Sequence, residues 1–86
     1  MKGCAGYLRV DKFLKVSRII KRRTVAKEVC DLDRVLVNGK IVKAGHEVHI
    51  GDMVEIQLPS GTRRVIIEKI MESIPANRAS ELFREV

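Results

Sequence analysis

Residues 9–30, RVDKFLKVSRIIKRRTVAKEVC, decide the reading of this chain. They include Arg9, Lys12, Lys15, Arg18, Lys21, Arg22, Arg23 and Lys27 against two acids, Asp11 and Glu28. Apolar residues recur at helical spacing, first as Val10, Phe13 and Leu14, then as Val25, Ala26, Val29 and Cys30. The pattern predicts two short amphipathic helices, each with an apolar side turned inward and a basic side left in water. Such a surface suits a polyanion, with RNA the first candidate.

The rest of the chain sharpens that reading by its charge balance. The net charge is +6; residues 1–30 hold nine Lys or Arg and two acids, whereas residues 31–86 hold eight and nine. Uniform basicity would speak only to solubility, but an excess confined to the first third marks a binding face. A merely solvated helix face is the plain alternative. The later strands and helix, however, are charge-balanced and need no such excess to stay in water.

Eighty-six residues make one domain. A chain of this length buries only roughly 60–65% of its unfolded surface, so the core is small and leaves no room for a catalytic domain beside a binding module. A composition of 45% apolar and 33% charged residues fits a soluble globular domain. No run of 18 or more apolar residues occurs. Lys2 is not followed by an apolar signal-peptide core, so the expected location is cytoplasmic, with no membrane partner. Cys4 and Cys30 are too few and too far apart for a disulfide framework or a four-ligand zinc site, which fits a reducing compartment. Cys30, on the apolar side of its helix, is expected to be a buried thiol.

Outward from the basic stretch, the expected elements follow in order. Residues 1–6 form a flexible leader with two glycines, and Tyr7 and Leu8 pack at its end. Asp11 is placed to cap a helix over about 12–17. Residues 17–21 connect it to a second helix over about 23–32, with Ile19 and Ile20 buried and Thr24 either capping that helix or lying in its first turn. The cluster Lys21-Arg22-Arg23 meets the exposed N–H groups and positive dipole end of this second helix, and both favour phosphate. Asp33 occupies the stop position where glycine is usual. Asn38-Gly39 between two apolar runs predicts a hairpin with a type I′ turn. A loop over 45–51 is expected to turn Val48 and Ile50 inward. Strands over 53–58 and 63–70 flank a turn at Pro59-Ser60-Gly61-Thr62. Pro75 breaks the chain, and Ala79, Leu82, Phe83 and Val86 recur at i, i+3, i+4, i+7, which predicts a C-terminal amphipathic helix covering the sheet.

Little speaks for catalysis. His46 and His49 stand three apart in the expected loop without a nearby third ligand, so solvated histidines are the default and no metal or cofactor is expected. No Walker or dinucleotide-type glycine loop occurs, and no serine or cysteine nucleophile sits in a recognisable motif. Glu28, Asp31 and Asp33 cluster as ordinary helix-end acids. Aromatic residues are scarce: Tyr7, Phe13, Phe83 and no Trp. Recognition of RNA should therefore rest on phosphates and folded shape rather than on stacked bases.

Four blocks of the sequence carry a resemblance. They are Arg9-Val10-Asp11-Lys12-Phe13-Leu14, Arg22-Arg23-Thr24-Val25-Ala26-Lys27, Val35-Leu36-Val37-Asn38-Gly39, and Val48 with Gly51-Asp52-Met53-Val54. In order and spacing they resemble the ribosomal protein S-four type (alpha-L) RNA-binding domain. The run from Lys12 to Arg18 with Lys21-Arg22-Arg23-Thr24 most resembles the RqcP family of bacterial ribosome quality control, and that likeness covers nearly the whole chain. The resemblance implies an α+β fold, in which two short helices pack on a small mostly antiparallel sheet: a domain over 7–72, with a C-terminal helix over 73–86 packed on it. It also implies a non-catalytic, monomeric factor on the large ribosomal subunit when peptidyl-tRNA obstructs it, with large-subunit rRNA and peptidyl-tRNA as partners. There the family helps a nascent-chain tailing factor add alanine tails. The implied RNA contacts are Arg9, Asp11, Lys12, Lys15, Arg22, Arg23 and Lys27, with Asp11 placed to orient a neighbouring arginine; the residues' own charge pattern adds Arg18 and Lys21. The heat-shock protein fifteen type shares the domain and keeps ribosome rescue or subunit assembly open as alternatives. A basic module docking an acidic protein or anionic lipid is the reading from another class. Asp33 in place of the family's usual glycine, and Arg22 where the wider domain often has Ser or Thr, are departures from the pattern.

Overall fold

The first helix begins where the sequence turns from a strand into an apolar i, i+3, i+4 pattern. In a computed structural model, which describes residues 6–86, β1 (Tyr7–Arg9) passes directly into α1 (Val10–Val16). The expectations for Cys4 and for the leader up to residue 5 lie outside the described residues. Val10, Phe13 and Leu14 have no exposed surface. Burying a side chain of this size stabilises a fold by about 1.5–3 kcal/mol. Arg9, not Asp11, occupies the N-cap position, and Asp11 lies in the first turn. The helix thus starts two residues before the expected Lys12. The carboxylate still serves the helix start, because the Lys12 N–H donates to Asp11 Oδ1 at 2.8 Å.

α1 stops at an unusual residue. Arg18 follows the C-cap Ser17 with φ +66°, a left-handed conformation in which glycine is usual. Its N–H donates to the Lys15 carbonyl at 3.1 Å. Ile20 is buried and Ile19 is half-buried.

α2 (Arg23–Asp31) begins without a side-chain cap, since Arg22 holds that position in extended conformation and Thr24 lies in the first turn. Ala26 and Cys30 face the core, whereas Val25 is exposed. The helix ends in a Schellman-type closure: Asp33 N–H donates to the Cys30 carbonyl and Arg34 N–H to the Val29 carbonyl. Asp33 takes φ +60°, and its carboxylate accepts from Lys43 Nζ at 2.7 Å. Aspartate tolerates this conformation better than most residues, so the helix stops here without glycine.

β2 (Val35–Val37) and β3 (Lys40–Ile41) form the expected hairpin around Asn38 (φ +53°) and Gly39 (φ +86°), the two positive φ values a type I′ turn needs. β5 (Met53–Leu58) and β6 (Gly61–Ile67) pair through a two-residue turn, Pro59-Ser60, so β6 starts two residues earlier than expected and ends before Glu68. Within the sheet, Val35, Val37, Val54, Ile56, Val65 and Ile67 all lie on the buried face, in strand alternation. They pack with Phe13, Leu14, Ala26 and Cys30 in one core.

Two expectations fail, each for an identifiable reason. The loop over 45–51 contains β4 (Glu47–His49), which pairs antiparallel with β1 in a separate two-stranded ladder. Val48 is buried as expected, but Ile50 lies just past the strand end and is exposed. The C-terminal segment is not an α-helix. It is a 3-10 helix (Ala76–Leu82) followed by β7 (Phe83–Glu85), which adds to the free edge of β6. The i, i+3 pair Ala79 and Leu82 is buried from the 3-10 turn, where such residues eclipse, while Val86 is exposed. Pairing with β6 satisfies backbone groups that an α-helix would leave open at that sheet edge. The five-stranded sheet therefore runs β3-β2-β5-β6-β7, and the class is α+β as expected.

Candidate nucleic-acid interface

Asp11 is the pivot of the basic face. It is 1% exposed, yet it sits among cations. Arg9 Nε lies 3.3 Å from Asp11 Oδ1, and Arg9 Nη2 donates to Oδ2 at 3.3 Å. Arg23 Nε donates to Oδ2 at 3.4 Å from the start of α2. With the Lys12 N–H, both carboxylate oxygens are occupied. Loss of this buried carboxylate would leave those donors without their partner.

This arrangement fixes the arginines without burying them. The Arg9 and Arg23 side chains remain 51% and 45% exposed. Each holds part of its guanidinium against Asp11 and presents the rest to water, which suits a group that recognises phosphate by directed N–H bonds. Arg9, Asp11, Arg23, Thr24 and Lys27 line one shallow depression between the helix starts. Gly45 lies close to Arg9: a Cβ there would stand 4.0 Å from Arg9 Nη2, an ordinary contact.

The remaining sequence-selected residues divide into two groups. Lys15 and Arg18 border a second depression with Glu72, Ser73 and Ile74. Lys12 is half-buried and donates to Glu72 Oε1 at 3.0 Å, so its charge is partly answered within the chain. Lys21 and Arg22 are exposed in and after the connector. Among the described residues, Lys15, Arg18, Lys21, Arg22 and Lys27 come within 4.0 Å of no carboxylate. The charge pattern of the sequence points to these nine residues but not to Thr24, Gly45 or Glu72 as their neighbours. Glu72 lies 60 residues from Lys12, and no local pattern signals that contact.

Cys30 and the histidines are the other reactive groups among the described residues. Burial, with Asp11 and Asp31 nearby, pushes the Cys30 thiol up to about 11, so it stays protonated in neutral solution. His49 lies in β4 rather than in a loop, and among the described residues no group of three or more His, Cys, Asp or Glu is placed to hold a metal ion. No helix among these residues is long and apolar enough to cross a membrane.

Comparison with known proteins agrees with this geometry. The S4 domain model matches residues 8–54, the span that carries both helices, the hairpin and β4. The RQC P-site tRNA stabilizing factor of Halalkalibacterium halodurans is 47% identical over 76 residues, covering 88% of this chain and 86% of that protein. The protein of the same name from Bacillus subtilis is 38% identical over 76 residues, covering 88% of both chains. Among solved structures, the trimeric Heat Shock Protein 15 of Vibrio cholerae superposes with a TM-score of 0.86 at 31% identity, over 93% of this chain and 82% of that one. The chain belongs to the S4 domain family and, within it, to the family of RQC P-site tRNA stabilizing factors.

Proposed function

We propose that this chain is a non-catalytic RNA-binding factor of the cytoplasm that binds the large ribosomal subunit while peptidyl-tRNA obstructs it. The observation that carries the reading is the half-exposed pair Arg9 and Arg23, held by the buried Asp11 beside Lys27, which meets no carboxylate. Relatives named for stabilising P-site tRNA in quality control support this choice of RNA. In this reading Arg9, Arg22, Arg23 and Lys27 contact phosphates, Lys15, Arg18 and Lys21 extend the contact, and Lys12 adds to it from its pairing with Glu72. Asp11 orients the two arginines and does not itself touch RNA. A monomer bridges rRNA and tRNA, because occupying one contact raises the effective concentration of the other. By steadying the tRNA, the factor supports a partner that extends the stalled chain with alanine.

Sedimentation tests this reading. The protein should travel with large subunits that carry peptidyl-tRNA and dissociate when that tRNA is released. Comparable binding to empty large subunits would favour the rescue or assembly role suggested by the likeness to Heat Shock Protein 15. Failure to bind any subunit would overturn the RNA-binding reading.

A further inference from the structure

The outward face of the β1–β4 ladder holds groups that phosphate contacts leave unused. Tyr7 pairs with His49, Leu8 with Val48 and Arg9 with Glu47. Leu8 and Val48 are buried, so strand alternation turns Tyr7, Arg9, Glu47 and His49 to the outside together. Tyr7 is 40% exposed and the His49 side chain 57% exposed, with ring centroids 5.9 Å apart and planes tilted by 52°. Phe13 is fully buried, and Phe83 is half-buried beneath the Arg63 guanidinium. Tyr7 is therefore the one strongly exposed aromatic side chain of Phe, Tyr or Trp type among the described residues.

The ladder holds these rings in place. His49 N–H donates to Asp52 Oδ2 at 2.8 Å, and Asp52 Oδ1 accepts from Asn38 Nδ2 of the type I′ turn at 3.1 Å. His49 thus stands on a braced corner. Tyr7 and Arg9 are alternate residues of one strand, about 7 Å apart along it, and Arg9 is itself fixed by Asp11. That separation lies within the reach of one nucleotide from its phosphate to its base.

The charges at this end argue for a base rather than a second phosphate. Glu47 lies across the ladder from Arg9, and Asp52 stands beside His49, with His49 Nδ1 3.8 Å from Asp52 Oδ2. A phosphate placed over the rings would meet two carboxylates. A neutral heterocycle would stack on the Tyr7 face, with the tilted His49 ring beside it.

We infer that Tyr7 and His49 form a stacking platform for one unpaired base of the bound RNA, with the adjoining phosphate on Arg9 and Arg23. The inference rests on the RNA-binding reading and adds a base contact to it. It departs from the expectation that recognition uses phosphates and shape alone.

The chain has one Tyr and no Trp, so Tyr7 is its own fluorescent reporter. The probes are an RNA stem-loop with unpaired loop nucleotides and a blunt RNA duplex carrying the same number of phosphates. Tyrosine emission should be quenched by the stem-loop and not by the duplex. Tyr7→Ala should weaken stem-loop binding by about fivefold to a hundredfold, the scale of one base–aromatic stack, and should leave duplex binding and both salt slopes unchanged. Tyr7→Phe should restore stem-loop affinity. Unchanged stem-loop binding by Tyr7→Ala, equal quenching by both RNAs, or a reduced salt slope would overturn the platform while leaving phosphate binding intact. Binding of neither RNA by the native chain would overturn the RNA-binding reading and the platform with it.

Discussion

On the C-terminal half of the molecule Arg63 meets Glu85, Arg64 meets Glu55, Arg84 meets Glu68, and Lys69 and Arg78 share Glu81. On the helical half Arg9 and Arg23 share the single carboxylate of Asp11, and Lys15, Arg18, Lys21, Arg22 and Lys27 meet none. Most Lys and Arg residues are exposed in both halves, so solubility does not explain the difference. The sheet pairs link neighbouring strands, as where Glu55 stands directly opposite Arg64 in the ladder. Each exposed pair contributes at most about 1 kcal/mol, but together they cancel the local field. On the helices the field is left standing, at a cost in self-repulsion that an anionic partner would relieve. Most cations of the C-terminal half are thus answered by an acid, whereas most of those on the helices are not, and the helical face keeps charge for an anionic ligand.

The strongest way to break this contrast is to remove its pivot. Asp11→Ala should lower stability by about 2 kcal/mol, because it strips a first-turn N–H and two arginines of their buried acceptor. It should also weaken RNA binding by more than about tenfold (1.4 kcal/mol), although the change makes the face more positive. Thermal unfolding and a binding titration would measure the two effects. Tighter binding by the variant would mean that bulk charge, not oriented arginine, sets affinity.

A smaller effect sharpens the contrast at Arg18, which holds φ +66° without an ion pair. Arg18→Gly should raise stability by about 0.5–1 kcal/mol, as relief of left-handed strain outweighs the added freedom of the unfolded chain. The same change should reduce RNA affinity by about two- to fivefold, the scale of one exposed charge contact. Opposite signs in unfolding and binding would identify a residue kept for its ligand. Loss of stability would show that the arginine serves the fold.

What the sequence made legible was local. Asn38-Gly39 carries its turn in two residues, and Asp33 its helix stop in one, so both read correctly. The inward face of α1 followed from spacing, and that of α2 did so for Ala26 and Cys30, whereas Val25, counted on the same apolar side, is exposed. The β1–β4 ladder did not, because each strand has three residues and the partners lie about forty positions apart. The C-terminal segment misled because Ala79 and Leu82 fit a 3-10 turn as well as an α-turn, while the choice of strand for Phe83–Glu85 depends on the free edge of β6. The basic residues were legible from charge density. That a single buried carboxylate ties Arg9 to Arg23, 12 residues from Asp11, depends on how the helices cross.

The central claim is that the helical cations, with Arg9 and Arg23 oriented by one shared carboxylate and five others meeting none, form the RNA site, and that the cations answered by acids on the sheet do not. The direct test titrates Arg23→Glu and Arg63→Glu against large subunits carrying peptidyl-tRNA over a range of salt concentrations. Arg23→Glu should lose more than about tenfold in affinity and lower the salt slope by at least about 0.7–0.9, the contribution of one phosphate contact. Arg63→Glu should leave affinity within about twofold and the slope unchanged, since its charge is already answered by Glu85. Equal losses from the two substitutions would contradict the account and leave only diffuse attraction between a basic protein and RNA.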